Sequence, residues 1–161
     1  MRVLLVNPEF PETYWSFRYA LPFEGKRSVF PPLSLLTVSS LLPRSCERRL
    51  VDLNIERLKD SQIEWADMVF ITGMLTQKVS LHEVVQRCKR LGKKIVLGGP
   101  YVTSTIEELP DADHIFQGEA ETTLPEFFID LEQGEAKRIY KAPQRPPMSI
   151  TPIPDFGLVN L

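Results

Sequence analysis

Apolar runs punctuate the chain without polar interruption: Val3–Val6, Met68–Ile71, Ile95–Leu97 and the shorter Ile115-Phe116. A half-exposed strand alternates apolar with polar residues. An unbroken run needs cover on both faces, as in a parallel sheet with helices on either side. Arg49-Leu50-Val51-Asp52-Leu53 is more polar and reads as an edge strand. Between the runs the spacing turns helical. Leu81, Val84, Val85, Cys88 and Leu91 share one stripe over 78–91, with Gln86, Arg87, Lys89 and Arg90 outside it. His82 lies off that stripe and reads as a solvated helix residue. Leu124, Phe127, Phe128 and Leu131 repeat the pattern over 120–131. Pro31-Pro32 opens a further helix that runs to Leu42 and stops at Pro43, since proline suits the first helical turn and no later one. Residues 54–64 are mixed, with Asp60-Ser61 as a turn or cap, and a short helix is expected over 103–109. There Thr103 or Ser104 is the expected cap, with Glu107 and Glu108 in the first turns.

Strand and helix alternate five times. The expectation is an α/β, doubly wound, five-stranded parallel sheet in the flavodoxin-like order 2-1-3-4-5, over residues 1–134. The remainder, 135–161, holds Pro143, Pro146, Pro147, Pro152 and Pro154 without helical period and reads as an extended linker. Open α/β sheets bind ligands outside the carboxyl ends of their strands. Four corners are expected there: Asn7-Pro8-Glu9, Thr72-Gly73-Met74, Gly98-Gly99-Pro100 and Gly118-Glu119. Each replaces side-chain bulk with backbone. Two successive glycines permit a sharp turn and a close approach to the main chain, although a tight turn and nothing more fits a lone Gly-Gly equally well. The segment from Glu9 to Phe30 carries Phe10, Tyr14, Trp15, Phe17, Tyr19, Phe23 and Phe30. Disordered segments are poor in aromatics. The loop is either a satellite core folded over the sheet edge or a lid or docking face.

Composition narrows the chemistry. The 161 residues fit one domain with a tail. A net charge of −2 speaks against nucleic acid or an anionic membrane as partner. No run of about 18 apolar residues occurs, and nothing at the amino end has signal-peptide order, so a cytoplasmic protein is expected. Cys46 and Cys88 stand alone, without a CxxC or a zinc-like cluster. GxxxxGK[ST], GxGxxG and GxSxG are all absent. The acidic cluster of a phosphoacceptor domain is missing too. Glu119 and Glu121 form a carboxylate pair at a strand end, where capping of the next helix is the simpler role. No nucleophile–base constellation is visible.

Val3-Leu4-Leu5-Val6-Asn7-Pro8, Pro31-Pro32-Leu33-Ser34-Leu35-Leu36, Gly98-Gly99-Pro100 and Gln117-Gly118-Glu119-Ala120-Glu121-Thr122 with Leu124-Pro125, in this order, resemble the amino-terminal cobalamin (B12)-binding domain of B12-dependent radical SAM proteins. That group includes methyltransferases and anaerobic cyclases. The resemblance covers residues 1 to about 130, and 152–161 resembles the run-in to the family's catalytic barrel. It implies a Rossmann-like B12-binding fold, with a corrinoid across the strand ends and its nucleotide tail between sheet and helices. The four corners from Asn7 to Glu119 are then cofactor-binding, and none is catalytic. Better-known cobalamin domains carry DxHxxG after the first strand, and this chain has no histidine there. The cobalt is therefore expected to lack a histidine lower ligand. The family's CxxxCxxC is absent, which places the 4Fe-4S cluster and S-adenosylmethionine in a separate radical SAM barrel. This chain alone is not expected to be catalytic. Gly99→Val is expected to abolish corrinoid retention while the sheet still folds. A cofactor-free interaction or regulatory module, and a flavin or nucleotide domain, are the competing readings.

Overall fold

A computed structural model describes residues 1–13, 17, 19–105 and 111–159. Six strands form one parallel sheet: β1 (Arg2–Asn7), β2 (Glu47–Asp52), β3 (Met68–Thr72), β4 (Lys94–Gly98), β5 (His114–Gln117) and β6 (Ile139–Lys141). Their order is β2-β1-β3-β4-β5-β6. Among the described residues five α-helices alternate with them: α1 (Leu33–Leu41), α2 (Asp60–Trp65), α3 (Lys78–Arg90), α4 (Pro100–Ser104) and α5 (Ala120–Gln133).

Register sets which side chains share a face. Leu5 lies opposite Leu50 and Phe70, and Phe70 opposite Val96. Because alternate residues point to opposite faces, each unbroken run feeds two cores. Leu4, Val6, Val69, Ile71, Ile95 and Leu97 pack with Ile63 of α2, the Leu81–Cys88 stripe of α3, and Tyr101 of α4. Val3, Leu5, Phe70, Val96 and Phe116 pack on the other face with Leu35 of α1 and with Leu124, Phe127 and Phe128 of α5. The doubly wound expectation holds, with β2 at the edge.

The sixth strand departs from the expected five. It lies in the segment read as a linker, and it exists because Tyr140 stacks on Phe116 at 5.1 Å and meets Phe127 edge-on at 5.5 Å. Three residues are too few to show a period. Residues 54–64 also hold more order than a turn, since α2 starts at Asp60 with the Lys59 N–H donating to Gln62 Oε1 at 2.8 Å. Helix α4 begins at Pro100 and not near Thr103, because Pro100 meets the first-turn requirement directly after Gly99. Thr103 and Ser104 sit in its last turn and donate back to the Gly99 and Pro100 carbonyls, so neither caps its start. The expectations for Glu107 and Glu108, and for Tyr14 and Trp15, fall outside the described residues. No helix among the described residues is long and apolar enough to cross a membrane.

Candidate functional site

Parallel pairing carries every strand's carboxyl end to one rim, with Asn7 beside Asp52 and Thr72 beside Gly98. The four corners, three of them with glycine, therefore meet along a single edge. Hydrogen bonds staple them in sequence. Gln77, only 2 % exposed, donates through Nε2 to the Pro8 carbonyl at 2.5 Å and accepts from the Met74 N–H at 2.9 Å. The Tyr101 N–H donates to the Gly73 carbonyl at 3.0 Å. Thr103 Oγ1 donates to the Gly99 carbonyl at 2.9 Å and accepts from the Gly118 N–H at 3.1 Å. The bonds from Gln77 to Pro8, from Tyr101 to Gly73 and from Gly118 to Thr103 each tie one strand-end loop to its neighbour.

Beneath this rim lies a cavity of about 60 Å³ between the sheet and the pair α1 and α5. Phe70, Val96 and Phe116 form its floor, Leu35 and Val38 one wall, Ala120 and Leu124 the other. Thr72, Gly98, Gly99 and Gly118 form its mouth. The glycines there serve different ends. Gly99 has φ +93°, and a Cβ on it would stand 2.2 Å from Thr72 Oγ1. Gly118 has φ +85°, and its Cβ would meet Ala142 Cβ at 2.9 Å. Both turns require glycine for their own geometry. A Cβ on Gly98 would meet only Phe116 Cβ, at 3.8 Å. Gly98 is thus the position where a missing side chain leaves free space. The expectation that Gly99→Val spares the sheet is corrected: that side chain collides with Thr72 and the Gly73 backbone before any ligand arrives.

Other rim residues look inward. Asn7 is buried, and its Nδ2 donates to Asp52 Oδ1 at 2.9 Å. The same oxygen accepts from Asn54 Nδ2 at 2.6 Å, and Asn54 also holds the Phe10 N–H at 2.9 Å. Asn7 and Pro8 therefore anchor the first loop, with their polar groups already engaged. The Glu9 N–H donates to Ser80 Oγ at 2.9 Å, away from the cavity. Glu9 borders a separate open groove of about 920 Å³ along α3. That groove is larger, but its walls are long side chains of balanced charge, with Arg57, Arg87 and Arg90 against Glu9, Glu56 and Glu83. Pro100 and Glu119 are exposed at the rim. Glu119 precedes α5 without a side-chain cap bond, so its expected capping role is not made. Glu121 accepts instead from Thr151 Oγ1 at 2.9 Å.

Met74 is 51 % exposed, and Leu75, Val79, Phe10, Phe23, Phe30 and Leu33 are exposed apolar residues as well. Phe23 at 91 % and Phe30 at 77 % exposure do not form a satellite core. The two histidines lie elsewhere. His82 is half-buried, with Nε2 3.0 Å from the Tyr101 hydroxyl, and is not the solvated residue its position off the stripe suggested. His114 starts β5 at the opposite end of the sheet, with Nδ1 2.7 Å from the Lys137 carbonyl. Among the described residues no three His, Cys, Asp or Glu side chains gather as a metal site. Sequence reading missed Gln77 and Tyr101, and gave Thr103 only a capping role. The one available signal was a polar Gln77 four residues ahead of Leu81, on the apolar stripe of α3.

A family model described as the B12 binding domain matches residues 27–128, which take in three of the four corners. The chain is 39 % identical over its whole length to an uncharacterized methyltransferase of Synechocystis sp., of which it covers 30 %. It is 26 % identical to the hopanoid C-2 methylase of Rhodopseudomonas palustris, over 99 % of this chain and 31 % of that one. It is 27 % identical to the bacteriochlorophyllide d C-12(1)-methyltransferase of Chlorobaculum tepidum, over 81 % of this chain and 29 % of that one. It thus spans under a third of the length of these relatives. The family match over residues 27–128, carried on a doubly wound sheet, places this chain in the B12-binding domain family.

Proposed function

We propose that this chain is the cobalamin-holding module of a larger radical SAM enzyme of the methyltransferase or cyclase type. The cavity at the glycine rim carries the reading. Its floor and walls are apolar, which matches the flat aromatic base of a nucleotide tail in chemistry but not yet in size, and Gly98 adds no side chain at its mouth. When bound, cobalamin supplies a cobalt centre able to relay a methyl group. The chain's own residues bind and orient. Gly98 and Phe116 admit the tail. Thr103 and Gln77 hold the corners in place, and the exposed Met74, Phe23 and Phe30 offer apolar cover for a broad ring. In this reading neither histidine is a cobalt ligand: His82 Nε2 lies 3.0 Å from the Tyr101 hydroxyl, and His114 lies at the far end of the sheet. The lower face of the cobalt is then free of a histidine ligand from this chain.

The names of the relatives support methyl transfer, and their length supports a further domain. In this reading the module takes in β6 as well as the expected residues 1–134, and the rest of 135–161 leads toward a radical SAM barrel holding a 4Fe-4S cluster and S-adenosylmethionine. The exposed apolar residues face that barrel. The narrowness of the cavity favours a second reading, a cofactor-free interaction module on the same fold. One experiment separates the two. The purified chain is mixed with hydroxocobalamin, desalted, and its visible spectrum recorded. Retained colour with a base-off shift is the expected result. Loss of all colour, with an unchanged melting temperature, would overturn cofactor binding in favour of the second reading.

A further inference from the structure

A cavity of about 60 Å³ is too small for the ligand just proposed. An apolar cavity of roughly 150 Å³ is what admits a single benzene ring. The floor cannot give way, because it is a sheet hydrogen-bonded through six strands. The space grows only if α1 and α5 part. Segment 151–158 is tied to both of those helices. Thr151 Oγ1 donates to Glu121 Oε1 in the first turn of α5 at 2.9 Å. Ser40 Oγ of α1 donates to the Ile153 carbonyl at 2.7 Å, and the Asp155 N–H donates to the Leu36 carbonyl at 3.0 Å. The buried Ser39 hydroxyl donates to Asp155 Oδ2 at 2.8 Å. Arg48 Nη1 stands 3.8 Å from the same carboxylate and donates to the Ser39 carbonyl at 2.6 Å. Pro152 and Pro154 fix φ within the segment, so it acts as a stiff strap between its two anchor points.

We propose that segment 151–158 is a latch on the cavity: it holds α1 and α5 together, and it yields when an occupant parts them. The ligand arm of this proposal rests on the corrinoid reading above. Linkage is reciprocal. An occupant that parts the helices loosens the strap, and a loosened strap raises affinity for the occupant. Binding at the rim is thereby felt at residues 151–158. Neither Thr151 nor Asp155 lines the cavity, so both can be changed without altering its walls.

Two measurements on the full chain test the latch, using Asp155→Ala and the milder Thr151→Val. The first needs no ligand: amide hydrogen exchange read by mass spectrometry. Asp155 is bonded to α1 and Arg48 and not to α5. A latch predicts severalfold faster exchange in Asp155→Ala both over 35–39 of α1 and over 123–131 of α5. Faster exchange in α1 alone marks a local contact and overturns the latch. Thr151→Val, which touches only the α5 anchor, is expected to speed exchange over 35–39 as well, and keeps the test alive if Asp155→Ala folds poorly. The second measurement titrates hydroxocobalamin. Both variants are expected to bind about fivefold tighter or more, the lower end of ordinary coupling between sites. Wild-type binding with unchanged affinity in both variants overturns the latch and leaves the cofactor reading standing. No colour in any of the three proteins overturns the cofactor reading, and the exchange pattern still decides the latch.

Discussion

Gly98 and Gly99 are neighbours in sequence and opposites in structure, and replacing each with alanine separates their roles. At Gly99 the backbone has φ +93°, and the new Cβ stands 2.2 Å from Thr72 Oγ1. A left-handed φ costs an L residue about 1–2 kcal/mol. Relieving an overpacked contact costs about 1–3 kcal/mol more. Gly99→Ala should therefore lose about 2–5 kcal/mol. At about 2–4 °C per kcal/mol for a domain of this size, its melting temperature falls by about 4–20 °C. At Gly98 the new Cβ makes an ordinary contact, 3.8 Å from Phe116 Cβ, with no left-handed φ. Alanine there restricts the unfolded chain, which is worth up to about 1 kcal/mol of added stability. Gly98→Ala should melt at or slightly above wild type. Gly98→Val then carries the functional test, since its branches project into the cavity mouth and block a tail without opposing the fold. Thermal melts followed by circular dichroism, with urea titrations as a check, read the first pair, and hydroxocobalamin retention reads the third variant. The reasoning is refuted if Gly99→Ala melts within about 1 °C of wild type on the same scale. A folded Gly98→Val that retains the corrinoid like wild type would move the site elsewhere.

Two further outcomes follow from the buried polar and thiol groups. Gln77→Leu leaves the Pro8 carbonyl and the Met74 N–H without their partner in a buried position, which costs about 1–3 kcal/mol for each unsatisfied group, so the urea midpoint should fall clearly; a midpoint equal to wild type would show that water replaces the clamp. Burial pushes the Cys88 thiol up to about 11 from its ordinary 9.0, the nearby Arg87 opposing in part. Its folded value exceeds its unfolded one, so its contribution to stability is complete below about pH 9 and is lost as pH rises toward 11. Cys88 should resist iodoacetamide at pH 8 in the native protein and react once urea unfolds it, with mass spectrometry reporting the labelled peptide; rapid native labelling would contradict its place beneath α3.

The interior of the sheet was legible because burial on two faces leaves a local trace. A strand such as Val3–Val6 must be apolar at every position to meet helices above and below, and no other part of the fold is needed to see it. The same holds for the stripe on α3 and for the proline punctuation that starts α1. The meeting of the strand-end corners at one rim followed from parallel alternation alone. What each corner does was decided by neighbours distant in sequence. Asn7 is turned inward by Asp52, 45 positions away, and Gly99 is compelled by Thr72. Strand β6 exists because Tyr140 finds Phe116 and Phe127, and the tail folds back because Asp155 finds Ser39, 116 positions away. The width of the cavity belongs to the same class. Periodicity records which side of an element is covered, whereas the partner that covers it is chosen by packing, and packing is a property of the assembled chain.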